Sequence, residues 1–160
     1  MIPYEYLDDI PQPWGGAENS FTRSLTDIGF GKKFTAEFSN NGEIFKKDFT
    51  VVESPPHYDS AKRFKSAALG MTVRDMTYEV RRYFQKLPDD PGVIVSKIES
   101  GEKAAVSGIK PYEIVTQIND ETVNSVGDFE RLVMDQQELR ISLKRKMVGR
   151  VVKIKMEQAP

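Results

Sequence analysis

The sequence predicts a mainly β fold with a few short helices, of the α+β class. Apolar and polar residues alternate in several short segments, which is typical of strands with one buried face. Glycine- and asparagine-rich turns separate these segments, and short stretches with helical spacing lie between them. With 160 residues, 39% of them hydrophobic, the chain is long enough to bury a core.

The composition excludes several classes of function. A formal net charge of −1 lacks the basic excess of a dedicated nucleic-acid binder, so no nucleic-acid partner is expected. Cysteine is absent, which rules out disulfides, thiol catalysis and thiolate metal sites, and we expect no metal and no other cofactor. No apolar run is long enough to cross a bilayer and the first residues carry no signal-peptide pattern, so membrane insertion is not expected.

Residues 1–55 are predicted to form an N-terminal segment built around one β-hairpin. The first part is rich in proline and glycine, and little regular structure is expected before about Ser20. From Phe34 onward apolar residues alternate with polar ones, and a return strand follows an Asn-Asn-Gly turn. Two prolines come next, so residues 56–65 are predicted to be a linker to a second unit at 66–158.

The second unit begins on a glycine between two bulky apolar residues. Leu69, Gly70 and Met71 run into a predicted strand, and glycine permits the close backbone approach that a tight loop needs. The patterns that follow predict strands at 92–98 and 114–118, short helices begun by Thr77 and at 103–107, and a closing hairpin in which Leu139, Ile141 and Leu143 alternate with polar residues.

Residues 125–135 are predicted to form a short amphipathic helix. Ser125 is a good N-cap, and Asp128 three residues later resembles a capping box. Phe129 and Leu132 belong to the apolar stripe of this helix. A strand edge beside such a helix makes a groove that can accept an extended peptide.

The two ends of the chain show a weak similarity in sequence pattern. The alternation that starts at Phe34 and turns at Gly42 mirrors the one that starts at Leu139 and turns at Gly149. Hairpins also recur by chance. The sequence therefore leaves two interpretations open: coincidence, or residues 1–55 as the closing half of a preceding unit like the second.

Taken together, the pieces of the second unit resemble a PDZ domain of the circularly permuted bacterial kind found in HtrA/Deg-type serine proteases. The resemblance covers over half of the chain, in the expected order and spacing. It implies a circularly permuted PDZ β-barrel or sandwich over residues 66–158, preceded by the partial hairpin segment. The matching segments are Leu69-Gly70-Met71-Thr72-Val73, Gly92-Val93-Ile94-Val95, residues 103–109, residues 114–119 and Asp128-Phe129. The chain departs from the family at two turns. It has Tyr112-Glu113 where the family usually has Gly-Asp, and Asn119-Asp120 where it usually has Asn-Gly.

The resemblance implies that an extended peptide C-terminus binds by β-strand addition. The backbone N–H groups around Leu69, Gly70 and Met71 would face the terminal carboxylate, and the strand from Met71 through Thr72 to Val73 would pair with the peptide. Ser125 heads the helix where some PDZ domains place a histidine that selects a hydroxyl, so that selection is not expected here. The pocket for the last side chain would be lined by Leu69, Met71, Phe129 and Leu132, unless the two helix residues serve only in core packing.

Three hypotheses about function follow. In the first, the chain is a regulatory or substrate-recognition module of an HtrA-like protease: it binds protein C-termini with an apolar last residue, works with a protease domain of the same parent and lies in the periplasm or another extracytoplasmic compartment. In the second, it is an assembly module of a secretion or envelope complex without selectivity for free C-termini. In the third, it is a hydrolase that uses His57, although no catalytic triad can be identified in the sequence.

Overall fold

The computed structural model describes residues 12–14 and 19–156, which fall into two compact units. The smaller unit is made of residues 19–55, and the larger one of residues 12–14 together with 56–156. The smaller unit contains α1 (Ser20–Ile28), β1 (Lys33–Asn40) and β2 (Glu43–Thr50). The larger unit contains β3 (Arg63–Ser66), β4 (Met71–Asp75), α2 (Tyr78–Tyr83), β5 (Val93–Ile98), α3 (Lys103–Val106), β6 (Ile114–Ile118), β7 (Glu121–Thr122), α4 (Val126–Val133), β8 (Glu138–Arg145) and β9 (Val148–Lys155).

The smaller unit is a helix followed by an antiparallel hairpin. Helix α1 starts at Asn19, whose side chain accepts a hydrogen bond from the Thr22 N–H group at 3.0 Å, and the Thr22 hydroxyl accepts one from the Asn19 N–H group. Strands β1 and β2 pair along their whole length around a two-residue turn at Asn41 and Gly42, both with positive φ. The predicted hairpin is therefore present, whereas α1 was not predicted, because the proline and glycine residues around it masked its short apolar stripe.

The larger unit is one antiparallel sheet of seven strands with short helices. The strand order is β3-β4-β5-β6-β8-β9, and β7 pairs with β6 at its side. This arrangement of mostly strands and a few short helices confirms the predicted fold class. The main core joins the inner sheet face to α4 and α3, and it includes Leu69, Val95, Ile118, Phe129, Leu139 and Ile141.

Residues 56–65, predicted to be a linker, are instead part of the larger unit. They contain a 3-10 turn at Tyr58–Ser60 and most of strand β3. The Tyr58 ring is buried, and its centroid lies 4.7 Å from that of Trp14. The two prolines suggested a break in structure, but the aromatic side chain that follows them docks into a second core cluster, whose members are Trp14, Tyr58, Met76, Val80, Phe84, Ile94 and Ile114.

The two departures from the usual PDZ turns keep the backbone conformations that glycine would favour. Tyr112 has φ 66°, and Asn119 and Asp120 have φ 49° and 68°. A left-handed conformation costs a non-glycine residue on the order of 1–2 kcal/mol. For Tyr112 this cost is offset by aromatic packing, because its ring meets that of Trp14 edge-on at 5.2 Å.

Candidate functional site

The glycine loop that the sequence predicted lies between β3 and β4. Gly70 has φ 66°, and a Cβ atom placed on it would lie 2.1 Å from the Cβ atom of Glu102. Both the left-handed conformation and the close approach require glycine at this position. The loop is therefore tightly specified by its neighbours as well as by its own sequence.

Backbone hydrogen bonds hold this loop from two sides. The Leu69 carbonyl accepts from the Ala104 N–H group at 2.9 Å, and the Gly70 carbonyl accepts from the Glu99 N–H group at 2.8 Å. The Gly70 N–H group itself donates to the Ser66 carbonyl at 2.9 Å. The Gly70 N–H group, predicted to face a peptide carboxylate, is thus already bound by the Ser66 carbonyl in this structure.

Both edges of β4 are paired within the chain. On one edge β4 runs antiparallel to β5, and on the other it runs antiparallel to β3. The β3 register places Ser66 opposite Met71 and Arg63 opposite Arg74. Strand addition by a peptide at Met71–Val73 needs one free edge, and β3 holds that edge here.

Helix α4 contacts both β3 and β4, so in this structure β3 occupies the groove predicted between strand and helix. The Ser125 hydroxyl caps α4 by accepting from the Asp128 N–H group at 3.2 Å, while the Asp128 carboxylate accepts from the Asn124 N–H group at 3.0 Å. A carboxylate oxygen of Asp75, the last residue of β4, accepts from the Val126 N–H group at 2.7 Å. This bond ties the far end of β4 to the start of the helix.

The predicted wall residues are buried side chains of the main core. Leu69, Met71, Val73 and Phe129 have no exposed side-chain surface, and Leu132 is 6% exposed. Thr72 is half-buried and points to the other face of the sheet, because neighbouring residues of a strand alternate between faces. The structure brings all of these residues together, but with β3 between the strand and the helix.

Strand β3 presents alternate side chains to the groove. Phe64 and Ser66 face inward, and the Phe64 ring centroid lies 6.1 Å from that of Phe129. Arg63 and Lys65 are exposed. A peptide added to a sheet edge uses the same alternation, with every second side chain entering a pocket.

A cavity of about 610 Å³ opens beside the loop end of this groove. It lies between the turn that follows β3 and the end of α4. The space is therefore next to the position that Ser66 fills with only a small side chain. Its lining is part apolar and part polar: Phe64, Ser66, Ala67, Ala68, Val133, Met134, Asp135, Gln136, Gln137 and Met156.

His57 takes part in a local turn. The Ser60 hydroxyl lies 3.2 Å from His57 Nδ1 and accepts from the His57 N–H group at 3.2 Å, so the pair closes the 3-10 turn. No carboxylate within residues 12–14 and 19–156 hydrogen-bonds to His57, so the third member of a catalytic triad is not assembled there. The same residues contain no cluster of three metal-ligating side chains and no helix long and apolar enough to cross a membrane.

The glycine loop, strand β4 after it and the capped helix α4 all lie in the larger unit. The PDZ domain family matches residues 67–156, which is more than half of the chain. The chain therefore belongs to the PDZ domain family, as the sequence motifs predicted.

Curated relatives of this chain are named as proteases of one kind. The chain is 24% identical over 140 residues to a "Probable periplasmic serine endoprotease DegP-like" of Chlamydia pneumoniae, covering 85% of this chain and 28% of that protein. A protein of the same name from Pseudomonas putida is 24% identical over 127 residues, covering 79% and 25%. The chain thus spans about a quarter of the length of these relatives.

Solved structures support the same fold. The HtrA3 PDZ domain bound to a phage-derived ligand (FGRWV) has a TM-score of 0.50 and 18% identity, covering 60% of this chain and 86% of that one. A variant of the HtrA-type protease AlgW with a decapeptide has a TM-score of 0.50 and 18% identity, covering 57% and 29%. At this identity the likeness establishes the fold alone.

Two parts of the site were not predicted from the sequence. Strand β3 is only four residues long, and all of it except Ser66 lies inside the predicted linker at 56–65. The available signal is the alternation of basic Arg63 and Lys65 with inward-facing Phe64 and Ser66, but a pattern this short is weak. The bond from Val126 to Asp75 joins residues 51 positions apart, and no local pattern indicates it.

Proposed function

We propose that the larger unit binds the C-terminal segment of a peptide or protein by strand addition to β4. The observation that carries this proposal is the antiparallel strand already seated between β4 and α4, with alternate side chains turned into the groove. The names of two solved structures with the same fold, a PDZ domain bound to a phage-derived ligand and a protease with a decapeptide, support it.

The chemistry of the groove favours an apolar last residue. The loop, β4 and α4 that border the groove carry buried apolar residues, Leu69, Met71, Phe129 and Leu132. Burying one large apolar side chain contributes roughly 1.5–3 kcal/mol. Ordering the peptide opposes this gain, so dissociation constants on the order of micromolar are expected.

The proposed setting is a regulatory or substrate-recognition module of an HtrA-like serine protease, in an extracytoplasmic compartment. The names of the curated relatives, which are periplasmic serine endoproteases, support this setting. The partner inside the parent protein would then be its protease domain. Substrate C-termini would be the external partners.

The smaller unit fits the proposal as the closing half of a preceding PDZ-like unit. Each strand of its hairpin begins and ends 105 residues before the matching strand of the β8–β9 hairpin, as Lys33 at the start of β1 does before Glu138 at the start of β8. A capped helix precedes each hairpin. Because residues 67–156 make up little more than half of the chain, an alignment that covers 85% of it extends well into the residues before 67.

A pair of matched peptides tests the proposed function. We would titrate one peptide with an apolar last residue in its free-acid and amidated forms, and measure both affinities by fluorescence anisotropy. The free acid should bind more tightly, because the loop donors lose an anionic partner in the amide. Equal affinities would contradict binding through a terminal carboxylate and would favour the assembly-module hypothesis.

A further inference from the structure

We infer that β3 is a built-in ligand of the groove, and that an external peptide binds by replacing β3 along β4. This inference rests on the proposed function, because it concerns the same site. It adds a regulatory step to binding and a description of the peptide that performs this step. Three features of β3 carry it.

The first feature is its position. Strand β3 runs antiparallel to β4 and under α4, with Ser66 at the loop end of the groove. The Ser66 carbonyl takes the Gly70 N–H group. Strand β3 therefore uses the edge, the donor and the space that strand addition would use, and the two cannot be present together.

The second feature is that β3 fills the groove poorly. Ser66 is 5% exposed, so a small side chain stands at a position where Phe64, Val133, Met134 and Met156 offer apolar surface to a larger one. The cavity of about 610 Å³ begins beside it. A peptide with a larger apolar residue there would bury surface that β3 leaves unused.

The third feature is that β3 is held weakly. It contributes four residues to the sheet, and Phe64 is only half-buried. Its outward side is joined by an ion pair between Lys65 and Glu99 at 2.6 Å, in which the lysine is 62% exposed. Ion pairs of this exposure contribute little to stability. Displacing β3 leaves the main core residues on β4, β5 and α4 in place.

These features describe the peptide that displaces β3. The position of Ser66 favours a large apolar last residue. The position of Phe64, two residues earlier, favours an aromatic residue that can pack on Phe129. The residue between them faces solvent, as Lys65 does. The ligand class is thus an extended C-terminus with the pattern aromatic, any residue, apolar.

A reversible crosslink tests the inference. Lys65 and Thr72 are directly opposite, and both point away from the groove. The Asp75 N–H group donates to the Lys62 carbonyl, so residues 62 and 75 form a hydrogen-bonded pair. Hydrogen-bonded and non-hydrogen-bonded pairs alternate along an antiparallel ladder, so 65 and 72 form a non-hydrogen-bonded pair. The short distance across such a pair suits a disulfide. The chain has no native cysteine, so the double variant Lys65→Cys/Thr72→Cys forms one defined bond.

The probe is a fluorescein-labelled peptide ending in Lys-Arg-Phe-Lys-Leu with a free carboxylate. The oxidised variant should bind it at least ten-fold more weakly than the same protein after reduction. A matched control is Glu138→Cys/Lys155→Cys, an exposed opposite pair on β8 and β9, for which oxidation should leave affinity unchanged. Circular dichroism of each form verifies that the fold is retained.

A variant that weakens β3 separates failure of the inference from failure of the proposed function. Phe64→Pro removes the ring and the backbone donor opposite Val73, and it should bind the probe several-fold more tightly than the wild type. Full affinity in the oxidised crosslinked protein would overturn the inference and leave the proposed function standing. An absence of binding in the wild type and in Phe64→Pro alike would overturn both, whereas binding by Phe64→Pro alone would support both.

Discussion

Two helix–hairpin segments of this chain have the same local structure and different surroundings. In α1–β1–β2 and in α4–β8–β9, two eight-residue strands flank a two-residue turn. The inward positions of the second hairpin, Leu139, Ile141 and Leu143, are at most 1% exposed. No residue within 19–55 is fully buried, and Phe38, the counterpart of Leu143, is 38% exposed.

The difference shows what local patterning does and does not supply. Alternation and capping suffice to form a helix and a hairpin in both places. The second segment has strands β4, β5 and β6 packed across its apolar face. The first instead borders a cavity of about 640 Å³ with an aromatic lining that includes Phe21, Phe30, Phe34, Phe38 and Phe49.

The sharpest test of this comparison truncates one inward residue in each helix. Phe129→Ala should lower the free energy of unfolding by about 3–5 kcal/mol, because the ring is fully buried. Leu25→Ala in α1 should cost less than about 1 kcal/mol, because Leu25 is only half-buried. Urea unfolding followed by circular dichroism measures both. Similar costs would show that the apolar face of the smaller unit is covered in solution, and that the two segments do not differ in burial.

The second test compares two glycines with positive φ. Gly70→Ala should cost about 3 kcal/mol, since the new Cβ atom adds a clash with the base of the Glu102 side chain to the conformational cost. Gly42→Ala, in the hairpin turn of the smaller unit, should cost about 1 kcal/mol, because no atom lies within 4 Å of the new Cβ. Thermal unfolding gives both values. Substituting Gly70 therefore perturbs the fold as well as binding, and equal costs at the two positions would contradict the close packing of the loop.

The smallest effect concerns alkaline pH and only the larger unit, since residues 19–55 contain no tyrosine. Burial raises the pKa of Tyr58 from 10.0 to about 12. The unfolded chain releases this proton near pH 10 while the folded chain keeps it, so stability is complete below pH 10 and falls by at most about 2–3 kcal/mol by pH 12.

Tyr58→Phe is the control for this pH dependence. The variant keeps the ring beside Trp14 but cannot ionise, so its loss of stability between pH 10 and pH 12 should be smaller than that of the wild type. Urea midpoints at several pH values across this window give the comparison. Identical profiles for the two proteins would rule out Tyr58 as a source of the alkaline destabilisation.

The sequence predicted the parts of the fold that depend on neighbouring residues. The N-cap at Ser125, the left-handed Gly108 after α3 and the turn at Asn119 and Asp120 all lie where the local patterns placed them. Each depends on a few consecutive side chains and on backbone sterics. These features are readable because their physics is local.

The sequence did not predict which partner each element would meet. The loop at Gly70 was identified, but the pairing of β3 with β4 depends on a four-residue strand whose neighbours include two prolines, Pro55 and Pro56. Helix α1 has a short, interrupted apolar stripe, and none of its residues is buried. Edge occupancy is decided by tertiary competition, which single-sequence patterns do not report.

Under the proposed function, the bond from Val126 to Asp75 limits the length of peptide that the groove can contact. It joins strand and helix where the ladder ends, at the pair formed by Lys62 and Asp75. Between this tie and the loop, only two side chains of a bound strand point inward. Under the proposed function, two inward side chains give a bound peptide little sequence selectivity. Selectivity would then rest on whether a chain end is exposed and extended, as it is in damaged or unfolded proteins.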